Sequence, residues 1–172
     1  MRFDLRLIAP VFVLTALAGC ATAQQQHGPE ANQDLSIRIE QGPCFGFCPV
    51  YDVTVDGTGK LVFNGKRHTR ILGVRTAIIN PDTVAKLETE LAGVQPKTPG
   101  RSETPCDAVP TDTSLLVITW NRPNTDPTIL ASRIGCDGPA GKQVLKSIDK
   151  ALKIVGVKDW AQQKTRPGAP RG

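Results

Sequence analysis

Gly42-Pro43-Cys44-Phe45-Gly46-Phe47-Cys48-Pro49-Val50-Tyr51-Asp52-Val53-Thr54-Val55-Asp56 is the stretch from which the fold is read. Two cysteines stand four positions apart with Gly46 between them and prolines on either side, the pattern of a tight turn that sulfur can close. The turn feeds a strand, because Tyr51, Val53 and Val55 point one way and Asp52, Thr54 and Asp56 the other. Upstream, Leu35, Ile37 and Ile39 alternate with Ser36, Arg38 and Glu40 in the same period of two. Downstream, Asp56-Gly57-Thr58-Gly59 supplies a hairpin turn and Leu61 and Phe63 return the apolar face. Asn64-Gly65 reads as a second turn. It leads into a more polar strand between His68 and Ile79, interrupted at Gly73.

Asn80-Pro81-Asp82 predicts a helix start, with asparagine as cap, proline at the first helical position and an acid near the positive end of the dipole. Val84, Leu87 and Leu91 then share a face, and Gly93 ends the helix. Residues 95–113 read as loop, rich in Pro, Thr and Ser. Ser114 to Asn121 is apolar on both faces, as in a central strand, and Thr128 to Ile134 returns beside it. Cys136-Asp137-Gly138-Pro139 opens a second helix with Val144, Ile148, Leu152 and Val155 as its stripe, and Trp160 packs under its end. Hairpins dominate and no βαβ alternation runs through the chain. The expectation is an α+β domain over residues 35–160, with a mainly antiparallel sheet of five to six strands and two helices on one face.

The 172 residues, 40% hydrophobic and 22% charged, suit one such core and not two. Aromatic residues are only 5% of the chain, too few for a stacking surface, so nucleic acid is not an expected partner despite a net charge of +5. Much of that excess lies in Lys164, Arg166 and Arg171, within a tail (residues 161–172) expected to be disordered and solvated.

The chain opens with Arg2 and Arg6, an apolar run from Leu7 to Leu17, and then Leu17-Ala18-Gly19-Cys20. The run is shorter than the roughly 20 residues a permanent membrane helix needs, so residues 1–19 read as an export signal. Leu-Ala-Gly-Cys resembles the lipobox of bacterial lipoproteins. That resemblance implies a Cys20 thiol carrying diacylglycerol, cleavage just before it, and acylation of the new amino terminus. Two or three acyl chains give stable anchoring where one is marginal. Ala21 in place of an aspartate resembles lipoproteins forwarded to the outer membrane, facing the periplasm. Residues 20–34 then form a polar tether containing His27.

Once Cys20 is set aside, Cys44, Cys48, Cys106 and Cys136 remain, an even number beyond an export signal. Three connectivities are open; Cys44 with Cys48 and Cys106 with Cys136 is the favoured one, since Gly46 permits a tight turn and the second bond would tie the long loop to the last helix. On the chain-entropy model the small ring contributes about 2 kcal/mol and the ring of roughly thirty residues about 3.5 kcal/mol. A four-cysteine zinc site and a redox-active Cys44/Cys48 dithiol are the competing readings. Against the dithiol, three residues separate the cysteines and no helix start follows.

No hydrolase triad is visible. No serine sits in a Gly-x-Ser-x-Gly turn, and His68, beside Lys66 and Arg67, reads as a surface residue. Asp107 and Asp112 lie in a loop where acids mostly make local turns. No cofactor or metal is implied.

The Cys-x-Gly-x-Cys-Pro-x-Tyr core with its flanking Gly42-Pro43, the alternating strand, Asp56-Gly57 and Gly65 resembles the signature of the domain of unknown function 6438. The resemblance spans roughly Leu35 to Trp160 and implies a bacterial envelope or secreted protein. It also favours bonding of Cys44 to Cys48; Cys106 and Cys136 look like an addition to the family's pattern. It carries no activity or ligand. The function expected is therefore a lipid-anchored, non-enzymatic module engaging an envelope partner, with a thiol-disulfide protein or a periplasmic inhibitor or ligand-binding module built on the 95–113 loop as alternatives.

Overall fold

The computed structural model describes residues 34–171. The expected export signal (residues 1–19), Cys20 and His27 lie outside them. The first strand, β1 (Ser36–Gln41), buries Ile37 and Ile39 and pairs antiparallel on both sides, with β2 (Val50–Asp56) and with β6 (Leu115–Asn121). Next come β3 (Lys60–Arg67) and β4 (Gly73–Ile78), each antiparallel to its predecessor. Helix α1 (Pro81–Ala92) begins as its sequence predicts: Asn80 Oδ1 accepts from the Thr83 amide at 2.8 Å, and Pro81 follows the cap. The chain then crosses to the far side of the sheet for β5 (Gly100–Glu103). It returns through β6 and β7 (Thr128–Arg133) and ends in α2 (Pro139–Ile154) and the single turn α3 (Lys158–Ala161).

The result is an α+β fold with a seven-stranded sheet in the order β4-β3-β2-β1-β6-β7-β5. Its apolar face carries Ile37, Val53, Phe63, Ile118, Trp120 and Leu130 against Val84, Leu87 and Leu91 of α1 and Val144, Ile148 and Leu152 of α2. Both long helices therefore cover one face, and the other face stays open. Trp160 meets Phe63 edge-on at 5.8 Å between ring centroids, under the end of α2.

Several expectations are corrected. The sheet has seven strands and not five to six; it is mainly antiparallel, as expected, with one parallel pairing, β5 beside β7. That strand lies inside the stretch read as loop: Gly-Arg-Ser-Glu shows no apolar alternation and pairs through its backbone alone at an exposed edge. Asn64-Gly65 is not a turn but part of β3. Gly65 is small because the Ile71 carbonyl and Thr69 Oγ1 pass where a Cβ would stand. The following strand begins at Gly73 and not at His68. His68 itself is buried and not on the surface. Residues beyond Ala161, expected to be disordered, lie along residues 68–71: the Lys164 amide donates to the His68 carbonyl at 2.8 Å and Thr69 bridges Gln163.

Candidate functional site

At the end of the sheet where β1 leaves and β6 enters, two loops are closed by sulfur and bonded to each other. Cys44 pairs with Cys48, with Cα atoms 5.7 Å apart, and Cys106 pairs with Cys136, at 5.2 Å. Gly46 lets the first loop turn, its amide donating to the Cys44 carbonyl at 2.8 Å. The loops meet through the backbone: the Gly42 amide donates to the Leu115 carbonyl at 2.8 Å and the Phe45 amide to the Asp112 carbonyl at 2.9 Å. Phe45, 77% exposed, sits on the first loop of this joined unit, and Val109, half exposed, stands on the second. A large ring held in water on a turn fixed by a disulfide and by backbone hydrogen bonds suits contact with another molecule.

The second loop is seated on the start of α2. The amide of Asp107 donates to the Asp137 carbonyl and that of Asp137 to the Ala108 carbonyl, at 3.1 and 2.9 Å. A Cβ built on Gly141, in the first turn of α2, would fall against Cys136 Sγ, so glycine is what lets the helix rest on the disulfide. The Gly138 amide, donating to the Asp137 carboxylate, lowers that carboxyl below its ordinary range, with help from Lys142. The Asp107 carboxylate lies against Gly138 at the positive end of the helix, a favourable place for an acid. Asp112 joins the site through its carbonyl, which accepts from the Phe45 amide.

Behind the first loop lies a basic cluster. His68 adopts φ 52°, which swings its ring inward beneath Phe47, and its Nε2 meets no partner among the described residues. Phe47 is covered in turn by the Arg171 guanidinium, 5.7 Å above its ring. Arg166 donates to the carbonyls of Thr69 and Arg70, both at 3.1 Å, and Arg70 donates to Gln162 Oε1. The basic tail is thus stitched to the end of β3 by its own cations.

On the open face of the sheet Asp52 accepts Lys66 Nζ at 2.6 Å and faces Arg38 at 3.6 Å, and Arg38 reaches Glu40 at 3.0 Å. These alternating charges occupy the face that strand periodicity marks as wet. A groove of about 690 Å³ between α1 and α2 is rimmed by Lys86, Lys146 and Lys150 around Glu90, whose carboxylate is already held by Ser147 Oγ and Lys150 Nζ. The Tyr51 phenol is pushed far up by burial and stays neutral at any physiological pH.

With both sulfur pairs oxidised, none of these four cysteines is left as a thiolate to ligate zinc, and no group of three or more histidines, cysteines and acids is placed to hold a metal among the described residues. The turn that carries Phe45 was legible from the Cys-x-Gly-x-Cys spacing. Its contact with the second loop was not, because that contact is made by backbone atoms that carry no residue signature.

The profile described as Domain of unknown function (DUF6438) matches residues 35–152. The chain belongs to this family. The matched span runs from the start of β1 to near the end of α2, so it contains the whole sheet and both disulfides. A search of the curated proteins gives no match. In this DUF6438 chain the stretch from Gly42 to Tyr51 joins the disulfide-closed turn to β2, next to the central strand β1.

Proposed function

We propose that this DUF6438 protein is a lipid-anchored component of the bacterial cell envelope, held at the outer membrane facing the periplasm, and that it binds a partner protein instead of catalysing a reaction. The observation that carries this reading is the joining of the two disulfide-closed loops beneath an exposed Phe45. A partner with an apolar pocket gains the aromatic ring with little ordering cost, because the turn is already fixed. The Leu17-Ala18-Gly19-Cys20 pattern supports the anchor, and structural disulfides suit an oxidising compartment. The polar tether from Cys20 to Asp34 would give the domain reach from the membrane.

Site-specific photocrosslinking in intact cells tests the reading. A photoreactive phenylalanine at position 45 or 109 is expected to give an adduct with the same envelope protein. The same probe at Asp126, in the β6–β7 turn at the opposite end of the sheet, is expected to give none. Equal adducts from all three positions, or none from 45, would overturn it.

A further inference from the structure

On one side the sheet ends in β4, and the outer edge of that strand follows from its inner register. The Ile79 amide donates to the Gly59 carbonyl at 2.9 Å, and along the ladder Ala77 lies opposite Leu61, Arg75 opposite Phe63 and Gly73 opposite Gly65. Bonded and non-bonded pairs alternate in an antiparallel ladder, so the backbone groups of Gly73, Arg75 and Ala77 are turned to β3. Those of Val74, Thr76 and Ile78 are turned outward. The side chains of the same three residues stand on the uncovered face, Val74 62% and Ile78 78% exposed. Edge strands are ordinarily blunted by proline, a bulge or inward charge. Here β4 pairs without a register shift and has no proline; its single charge, Arg75, stands opposite Phe63 on the helix-covered side, away from the face that carries Val74, Thr76 and Ile78.

We propose that β4 pairs antiparallel with β4 of a second copy of this chain about a twofold axis through Thr76. In that register Val74 of each copy lies opposite Ile78 of the other, and Thr76 opposite Thr76. Each of these pairs exchanges two backbone hydrogen bonds, since these are the residues whose amides face outward. Both apolar pairs fall on the same face, where cross-strand contacts between β-branched side chains stabilise a sheet. Neighbouring registers are worse. A shift one way sets Arg75 directly against Arg75, which like charge opposes. A shift the other way sets Val74 against Asn80 and runs the pairing into Pro81, which has no amide hydrogen. The contact is self-complementary and closes as a dimer. The opposite edge cannot extend it, because β5 is four residues long with Arg101 and Glu103 along it. One strand pair is small beside the roughly 1,600 Å² of a standard interface. The dimer is accordingly weak in dilute solution and forms where copies share a surface, which rests on the lipid anchor proposed above.

Cysteine trapping of the full chain in intact cells tests the register. Directly opposed residues in a bonded pair have Cα atoms about 5.5 Å apart, within disulfide reach. Thr76→Cys is expected to give an oxidant-induced dimer on a non-reducing gel, at least about tenfold more than wild type, Arg75→Cys or the opposite-edge control Arg101→Cys. Adding Ile78→Lys to Thr76→Cys is expected to remove most of the dimer while leaving the melting temperature of the purified protein unchanged, since Ile78 is exposed in one copy. The proposal is overturned if Thr76→Cys cross-links no better than the other two positions, or if it cross-links to a different protein. To separate the strand pairing from the anchor, purified Thr76→Cys lacking the leader and Cys20 is oxidised at millimolar concentration. The same register-selective dimer is expected there even if the anchor reading fails.

Discussion

Phe47 meets the imidazole of His68 edge-on, with ring centroids 5.4 Å apart and planes at 90°. The contact joins the disulfide-closed turn to the end of β3, and the C-terminal segment closes over it through Lys164, Arg166 and Arg171. Three pieces far apart in sequence therefore brace one another.

Removal of residues 163–172 is expected to uncover this contact. The lost backbone and Arg166 hydrogen bonds, at about 1 kcal/mol each before compensation by water, give an expected destabilisation of about 1–2 kcal/mol. Urea denaturation measures it, and limited trypsin digestion should cut faster at Arg67 and Arg70. An unchanged midpoint would mean that the segment is a solvated tail.

Gly141→Ala sets two effects against each other. Helix propensity alone favours alanine by about 1 kcal/mol, but the added methyl would meet the Cys136 carbonyl, Sγ and Cβ. Overpacking of this kind costs about 1–3 kcal/mol, so the net effect expected is a loss of stability of about 1 kcal/mol. A thermal melt decides the sign.

Acid weakens the β2–β3 turn. Burial raises the Asp56 carboxyl, but hydrogen bonds from Thr58 Oγ1 and from the Lys60 and Thr58 amides, with the Lys60 charge, outweigh it and hold the group below its ordinary value of 3.8. A depressed folded-state value means stability that is full above the unfolded value, near 4, and lost as pH falls through the folded one. Asp56→Ala is expected to destabilise by about 1 kcal/mol at pH 7 and to differ less from wild type below pH 3. Denaturation at the two pH values checks this.

How far the sequence carried the fold depended on side-chain pattern. Ile37, Ile39, Val53, Val55, Leu61 and Phe63 announced their strands by alternation, and Asn80-Pro81 announced α1, because a half-buried strand and a capped helix both write themselves in apolar spacing. Gly100–Glu103 did not, since an exposed edge strand held by backbone bonds has no apolar face to betray it. His68 misled because its basic neighbours look like a surface, while its positive φ and the segment that covers it are tertiary facts. Phe45 was visible as a residue of the turn, but its exposure follows from the contact between the two loops. Gly65 read as a turn because close approach and positive φ both call for glycine.

Removing the two disulfides separately should give unequal losses. Cys106→Ser with Cys136→Ser opens a ring of roughly thirty residues and is expected to cost about 3.5 kcal/mol; Cys44→Ser with Cys48→Ser is expected to cost about 2 kcal/mol. Chemical denaturation of the two double variants against wild type measures the difference.

Non-reducing peptide mapping of the native chain isolated from cell envelopes, with free thiols blocked on lysis, tests most directly whether the chain is an exported, sulfur-braced binding module. The account predicts Cys44 joined to Cys48, Cys106 joined to Cys136, and an N-terminal peptide beginning at acylated Cys20. Crossed pairs, or blocked thiols at these four positions in cytosolic material, would contradict it.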